Sequence, residues 1–191
     1  MSLLDDSKSF LKTILIFVLL ALFLRASVVE AFKIPSGSMR PTLVEYDHIL
    51  VTKFNFGLRL PFMPETVIQW GAPRRGDIVV FTHEGQSGTN IIKRVIGLPG
   101  DTVEVRGRSV LINGRVYEEP YHVQWLEGGS MDFPPQKVPV GRVFLLGDNR
   151  DHSRDSRFWS EPFLSIGRIK GRAQIIYWNW YSLDRIGTVV R

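Results

Sequence analysis

After residue 31 the chain never holds an apolar residue at every third or fourth position for long, and this limits its fold more than any other feature. Short apolar runs alternate with turn signals instead. The runs fall at 48–51, 77–81, 90–96, 102–105, 110–112, 142–146 and 173–177. Between them stand Arg75-Gly76, Pro99-Gly100, Asn113-Gly114, Gly128-Gly129 and Gly147-Asp148-Asn149. Asn-Gly tolerates positive φ at both positions, so Asn113-Gly114 between two apolar runs predicts a two-residue hairpin. The pattern as a whole predicts a mostly β, antiparallel domain, barrel-like or built of packed sheets. The 17 glycines and 11 prolines among 191 residues supply the turns. Residues 56–73 and 118–137 lack periodicity and read as surface loops. The absence of cysteine excludes disulfides, thiol catalysis and thiolate metal sites.

The N-terminus is different. Residues 13–24 carry no charge, and Lys12 and Arg25 bound them. Twelve residues are too few to cross a bilayer core, which takes about 20 residues of helix. Counted as 10–29, with both cations snorkelling to the headgroups, the stretch is long enough for a short transmembrane helix. Val29 and Ala31 are also small residues at alternate positions, as cleavage of a secretory signal after Ala31 requires. On this segment alone, anchor and cleaved signal stand even. Cations on both flanks leave the orientation open.

The formal net charge is +5. Charges in residues 1–31 cancel, so the excess lies in the remainder. No Lys/Arg-rich run or nucleic-acid-binding fingerprint accompanies it, which leaves anionic lipid as the surface it suits. The aromatic cluster 177–181 fits that surface as well as it fits core packing. His48, His83, His122 and His152 show no metal-ligand spacing. His152, among Asp148, Asp151 and Ser153, keeps a Ser-His-Asp triad open beside the plainer reading of a solvated loop.

Three stretches hold candidate chemistry. In 34–43, Pro35 and Pro41 bracket a Ser36-Gly37-Ser38 turn that can present one hydroxyl beside another. In 90–101, a strand places Lys93 between Ile91 and Val95 on one face and Arg94 with Ile92 and Ile96 on the other. Apolar neighbours desolvate an amine and favour its neutral form. In 147–157, three Asp and three Arg can pair into a network that orders the loop. Taken singly, each stretch is also compatible with an ordinary turn, a snorkelling lysine and a solvated loop.

Together, Ser36–Thr42, Arg75–Phe81, Lys93–Asp101 and Gly147–Arg157 resemble the four sequence boxes of bacterial type I signal peptidases (leader peptidases), in the family's order. The resemblance runs from the apolar segment to about Trp159. It implies a Ser/Lys-dyad endopeptidase acting through an acyl-enzyme, with Ser38 as nucleophile and Lys93 as general base. Ser36 takes the oxyanion position with the Ser38 N–H, Ser153 the position that orients the amine, and Asp155 with Arg157 that of a supporting ion pair. Phe32, Ile34, Pro35, Met39, Leu43, Ile91 and Ile92 match substrate-binding positions selective for small residues. No metal or cofactor is implied. The family usually has Asn where this chain has His152.

The resemblance further implies a tail at 1–9, a transmembrane helix at 10–29 and a peptidase domain at 32–191 with a small cap within 102–141. The domain is expected on the extracytoplasmic face of the bacterial cytoplasmic membrane, as a single-pass monomer. Its expected partners are secretory preproteins and the phospholipid bilayer, with no nucleic acid. Lys93 at the base position speaks against the endoplasmic-reticulum branch, which has His there. Rival readings are a self-cleaving Ser/Lys repressor-type protein, an anchored peptide-binding β domain and a Ser-His-Asp hydrolase.

Overall fold

Strand periodicity predicts where the backbone pairs, and pairing carries most of the chain. The computed structural model describes residues 8–18, 28–58, 68–82, 89–125 and 132–190. Residues 8–18 form a helix, α1, whose Phe10, Leu11, Ile14 and Phe17 are exposed. Among the described residues no helix is long and apolar enough to cross a membrane. Residues 19–27 of the expected span lie outside the described residues. Its far end is corrected: Val29 is not helical but opens strand β1, Val29–Lys33. The sheet domain therefore begins at 29 rather than 32. All five β1 positions pair with β2, His48–Thr52, and such pairing satisfies backbone groups that weak side-chain alternation does not advertise.

The remaining strands follow in order. β3 is Gly57–Leu58, β4 Ile68–Gln69, β5 Ile78–Thr82, β6 Asn90–Gly97 and β7 Thr102–Arg106. β8 is Ser109–Ile112, β9 Arg115–Val116, β10 Phe133–Lys137, β11 Arg142–Leu146, β12 Leu164–Ser165 and β13 Ile169–Trp178. Seven strands form one antiparallel sheet in the order β1-β2-β13-β5-β6-β11-β12. Four form a second, β10-β7-β8-β9, and β3 pairs with β4. The apolar runs in β5 and β6 are nearly continuous because both faces are covered. Ile78, Val80 and Ile92 join one core cluster with Met39, Leu43 and Ile49. Val79, Phe81 and Val95 join another with Val143 and Leu145. Ile96, Phe144 and Leu146 pack against Val103, Val105 and Phe133 of the smaller sheet. Each such side chain stabilises by about 1.5–3 kcal/mol when fully buried.

The Asn113-Gly114 hairpin joins β8 to β9, with φ of 54° and 77°. Two loop expectations are corrected. Within 56–73, β3 and β4 pair. Within 118–137, β10 is a strand despite Pro134 and Pro135. It lies at a sheet edge, with a register shift between Phe133 and Gln136, where proline's missing N–H breaks no ladder.

The loop after the 34–43 turn is fastened to the C-terminal region through Asp47, which has no solvent exposure. Its carboxylate meets Arg185 Nη2 at 2.7 Å and accepts from Asn179 Nδ2 at 2.7 Å and Val44 N at 2.9 Å. Arg185 Nη2 also donates to the Thr42 carbonyl at 3.0 Å. Burial alone pushes the Asp47 carboxyl up, but Arg185, Asn179 and the Val44 N–H outweigh it and hold the group below the usual carboxylate range. A depressed carboxylate stabilises the fold above its unfolded pKa, and that contribution is lost as pH falls through the folded value. Arg185→Ala should therefore cost about 2–4 kcal/mol in denaturant unfolding at neutral pH. It should also move the acid-unfolding midpoint to higher pH.

Candidate active site

The end of β1 and the start of β6 wall a cavity of about 660 Å³. Ile34, Pro35, Ser36, Ser38 and Met39 line it from the first, Ile91, Ile92 and Lys93 from the second. Asn149, His152 and Arg154 come from the loop after β11. Ser38 sits in the 3-10 turn Gly37–Met39. Met39 and Leu43, 1% and 0% exposed, root that turn in the core. Asn149 grips it from the other side: its Nδ2 donates to the Gly37 carbonyl at 3.0 Å and its backbone N to the Ser38 carbonyl at 3.2 Å.

Lys93 Nζ lies 2.7 Å from Ser38 Oγ and donates to the Ile92 carbonyl at 3.0 Å. Its residue is only 4% exposed. Burial pulls its pKa down from 10.5 to about 8, while the carboxylates of Asp155 and Asp148 pull it back up. Both carboxylates are compensated. Asp148, fully buried, takes a bidentate pair from Arg94, whose guanidinium lies 3.7 Å from the Tyr121 ring centroid. Asp155 pairs with Arg157 at 2.9 Å and accepts from the Gly147 N–H at 3.0 Å. The expected loop network thus forms only partly within the loop. Arg150 pairs outward with Glu119, and Asp148 is met by a strand arginine.

Most of the expected site residues gather here, but three depart. Ser153 is buried against Gly147, yet its hydroxyl has no hydrogen-bond partner among the described residues, so the expected bond to Lys93 is absent. Phe32 and Leu43 do not line the cavity; they belong to the core behind its wall, because the close-packed turn and β1 turn them inward. Ser36 does line it, exposed, and its hydroxyl caps no backbone group. No local pattern marks Asn149, whose role depends on carbonyls 111 and 112 positions earlier in the chain. Arg94 and Asp148, 54 positions apart, are paired only by the fold. His48 packs edge-on against Tyr177, and His83 lies outside the described residues. Among the described residues no histidine is bonded to Ser38, and no group of His, Asp and Glu is arranged to hold a metal ion.

Gly147 occupies the tightest point. A Cβ there would stand 2.2 Å from Ser153 Oγ and 2.5 Å from the Ser38 carbonyl oxygen. Backbone cannot yield as a flexible side chain does. Gly147→Ala should lower kcat by at least about 10²-fold, as expected when reacting groups are displaced by about 1 Å. Far-UV circular dichroism and steady-state kinetics on the same preparation check that the fold survives while turnover does not.

Comparison with known proteins gives one answer. The family model "Signal peptidase, peptidase S26" matches residues 7–178. A signal peptidase I from Leptolyngbya laminosa is 41% identical, covering 93% of this chain and 82% of its own. One from Pseudomonas aeruginosa is 37% identical over 93% of this chain and 73% of its own. A solved signal peptidase I from Enterococcus faecalis is 36% identical, covering 52% of this chain and 95% of its own with a TM-score of 0.45. A serine turn facing a buried lysine, on a chain that matches along nearly all of its length, has one assignment: the chain belongs to the signal peptidase family, peptidase S26, and is a serine protease of that kind.

Proposed function

We propose that the chain is a membrane-anchored endopeptidase that removes signal peptides from secreted preproteins with Ser38 and Lys93. The observation that carries this reading is the 2.7 Å contact between a serine hydroxyl and a lysine amine drawn toward its neutral form. A neutral amine takes the Ser38 proton as Oγ attacks the scissile carbonyl. It then returns that proton to the departing amine, leaving an ester on Ser38. Water, deprotonated by the same amine, cleaves the ester and frees the signal peptide's carboxylate. Ser36 and the Ser38 N–H stabilise the oxyanion. Asp155 and Arg157 hold Gly147 and so the floor of the dyad. Ser153, with its buried, unspent hydroxyl next to Gly147, supports the amine-orienting role that the resemblance gives it.

Ile34, Pro35, Met39, Ile91 and Ile92 form shallow apolar walls, so large side chains before the scissile bond overlap them and small ones fit. The smaller sheet within 102–141 serves as the cap. The uncharged stretch between Lys12 and Arg25 supports an anchor, with the domain on the extracytoplasmic face of a bacterial cytoplasmic membrane. Trp180 and Tyr181, 69% and 76% exposed, suit a domain resting on that bilayer as a single copy.

The test is direct. Detergent-solubilised chain should cut a preprotein once, after a small residue, with products identified by mass. Ser38→Ala and Lys93→Ala should each abolish the cut, and alanine at each of the four histidines should preserve it. Retained cleavage in Lys93→Ala, or loss at a single histidine, removes the dyad. Only the neutral amine is competent, so the rate should rise with pH through about 8, the value to which Lys93 is depressed. Ser36→Ala should lower kcat by about 10²–10³-fold and leave a measurable residue of turnover.

A further inference from the structure

Gly147 is held at both of its backbone polar groups by charged side chains. Its N–H donates to Asp155 at 3.0 Å, and its carbonyl accepts from Arg150 Nε at 3.1 Å. Each of these charges meets an opposite one. Asp155 has Arg157, two residues on in the same loop. Arg150 has Glu119, 31 positions earlier, in the segment between β9 and β10. Glu119 grips the guanidinium with both carboxylate oxygens, Oε2 accepting from Nη1 at 2.8 Å and Oε1 from Nη2. The first pair falls within the site that the resemblance implies. No motif marks the second.

The Arg150 side chain has no solvent exposure and that of Glu119 only 9%. A guanidinium that deep needs a counter-charge. Deprived of one, it turns toward water, and its Nε leaves the Gly147 carbonyl. Glu119 is itself oriented by Tyr121, whose Oη donates to Oε1 at 2.8 Å. The Tyr121 ring in turn covers the Arg94 guanidinium that pairs with Asp148. The stretch 147–149 is therefore braced from the segment between β9 and β10, and the serine turn leans on that stretch. Gly147 packs against the Ser38 carbonyl, and Asn149 donates to the Gly37 and Ser38 carbonyls. Two backbone bonds join the segment to the loop without using the Glu119 side chain. They run from Gln124 N to the Asp148 carbonyl at 2.8 Å and from Arg150 N to the Gln124 carbonyl at 2.9 Å.

We propose that Glu119 is a positioning residue for the reaction: it locks Arg150 onto the Gly147 carbonyl and so keeps the Ser38 turn set against Lys93. This rests on the proteolytic reading above. Glu119 does not line the cavity, so it acts on turnover and not on substrate binding.

The experiment uses the full chain in detergent and a preprotein peptide. Glu119→Gln should lower kcat about tenfold or more and leave KM within about twofold, since small displacements of reacting groups are costly. Glu118→Gln removes the same charge at an exposed neighbour and should change neither. Arg150→Met should lose at least as much kcat as Glu119→Gln. Glu119→Gln/Arg150→Met should lose no more than Arg150→Met alone, because the carboxylate acts through the guanidinium. Thermal unfolding separates positioning from stability. Removing one partner of a buried pair leaves an unpaired ion, whereas removing both leaves none. The double variant should therefore recover Tm lost in Glu119→Gln without recovering kcat. Wild-type kcat in Glu119→Gln, kcat that returns with Tm in the double variant, or losses that multiply in it each overturn the proposal. Should Glu119→Gln fail to fold, Glu119→Asp is read in its place. It keeps the charge but withdraws it by one methylene, and kcat should fall about threefold or more at constant KM; wild-type kcat there overturns the proposal. If the wild type leaves the peptide intact, or Ser38→Ala cuts it, the proteolytic reading fails and takes this one with it.

Discussion

In water a lysine amine holds its proton until pH passes 10. Bringing Lys93 from 10.5 to about 8 means favouring the neutral form by roughly 3 kcal/mol, at about 1.36 kcal/mol per unit. No charged neighbour supplies this; the two nearest carboxylates oppose it. It comes from exclusion of water, and so depends on every element that closes over β6. Those elements are the turn Gly37–Met39 in front and, along the two edges of β6, the paired strand β5 and the loop after β11.

Exclusion of water has a consequence for the rest of the site. Any other ionised group brought that deep must find a counter-charge, because isolated buried ions are costly. Asp148 and Asp155 each meet an arginine, Arg94 and Arg157, and Arg150 meets Glu119 from the approach to the smaller sheet. These pairs do more than neutralise. Asp155 holds the Gly147 N–H, Asp148 accepts from Thr42, and Arg150 donates to the Gly147 carbonyl. The same groups that keep the surroundings of Lys93 electrically quiet also fix the backbone on which Ser38 and Asn149 are set. A tightly packed glycine at the junction, Gly147, is the geometric price of that density.

Much of this was legible along the chain. Seven apolar runs became strands close to where they were expected, because side chains covered on both faces, as in β5 and β6, leave an unmistakable signal. Asn113-Gly114 marked its hairpin because few residue pairs accept its dihedral angles. Ser38 and Lys93 stood out through resemblance and then met across a gap of 55 positions. What stayed hidden was whatever a partner supplies. β1 exposes alternate residues of mixed character and is a strand because β2 lies beside it. β10 tolerates two prolines because it is an edge. Phe32 and Leu43 matched binding positions by sequence, and packing turned them into core.

Local pattern thus determined the class of fold and its turns, and resemblance over four short segments singled out Ser38 and Lys93, since periodicity, dihedral preference and chemical type are properties of short segments. Tertiary structure alone decided which arginine answers which aspartate, that Asn149 holds the serine turn and that Arg154 faces the cavity. Burial and pairing arise only when distant segments exclude water from the same volume, and no stretch of sequence encodes that volume by itself.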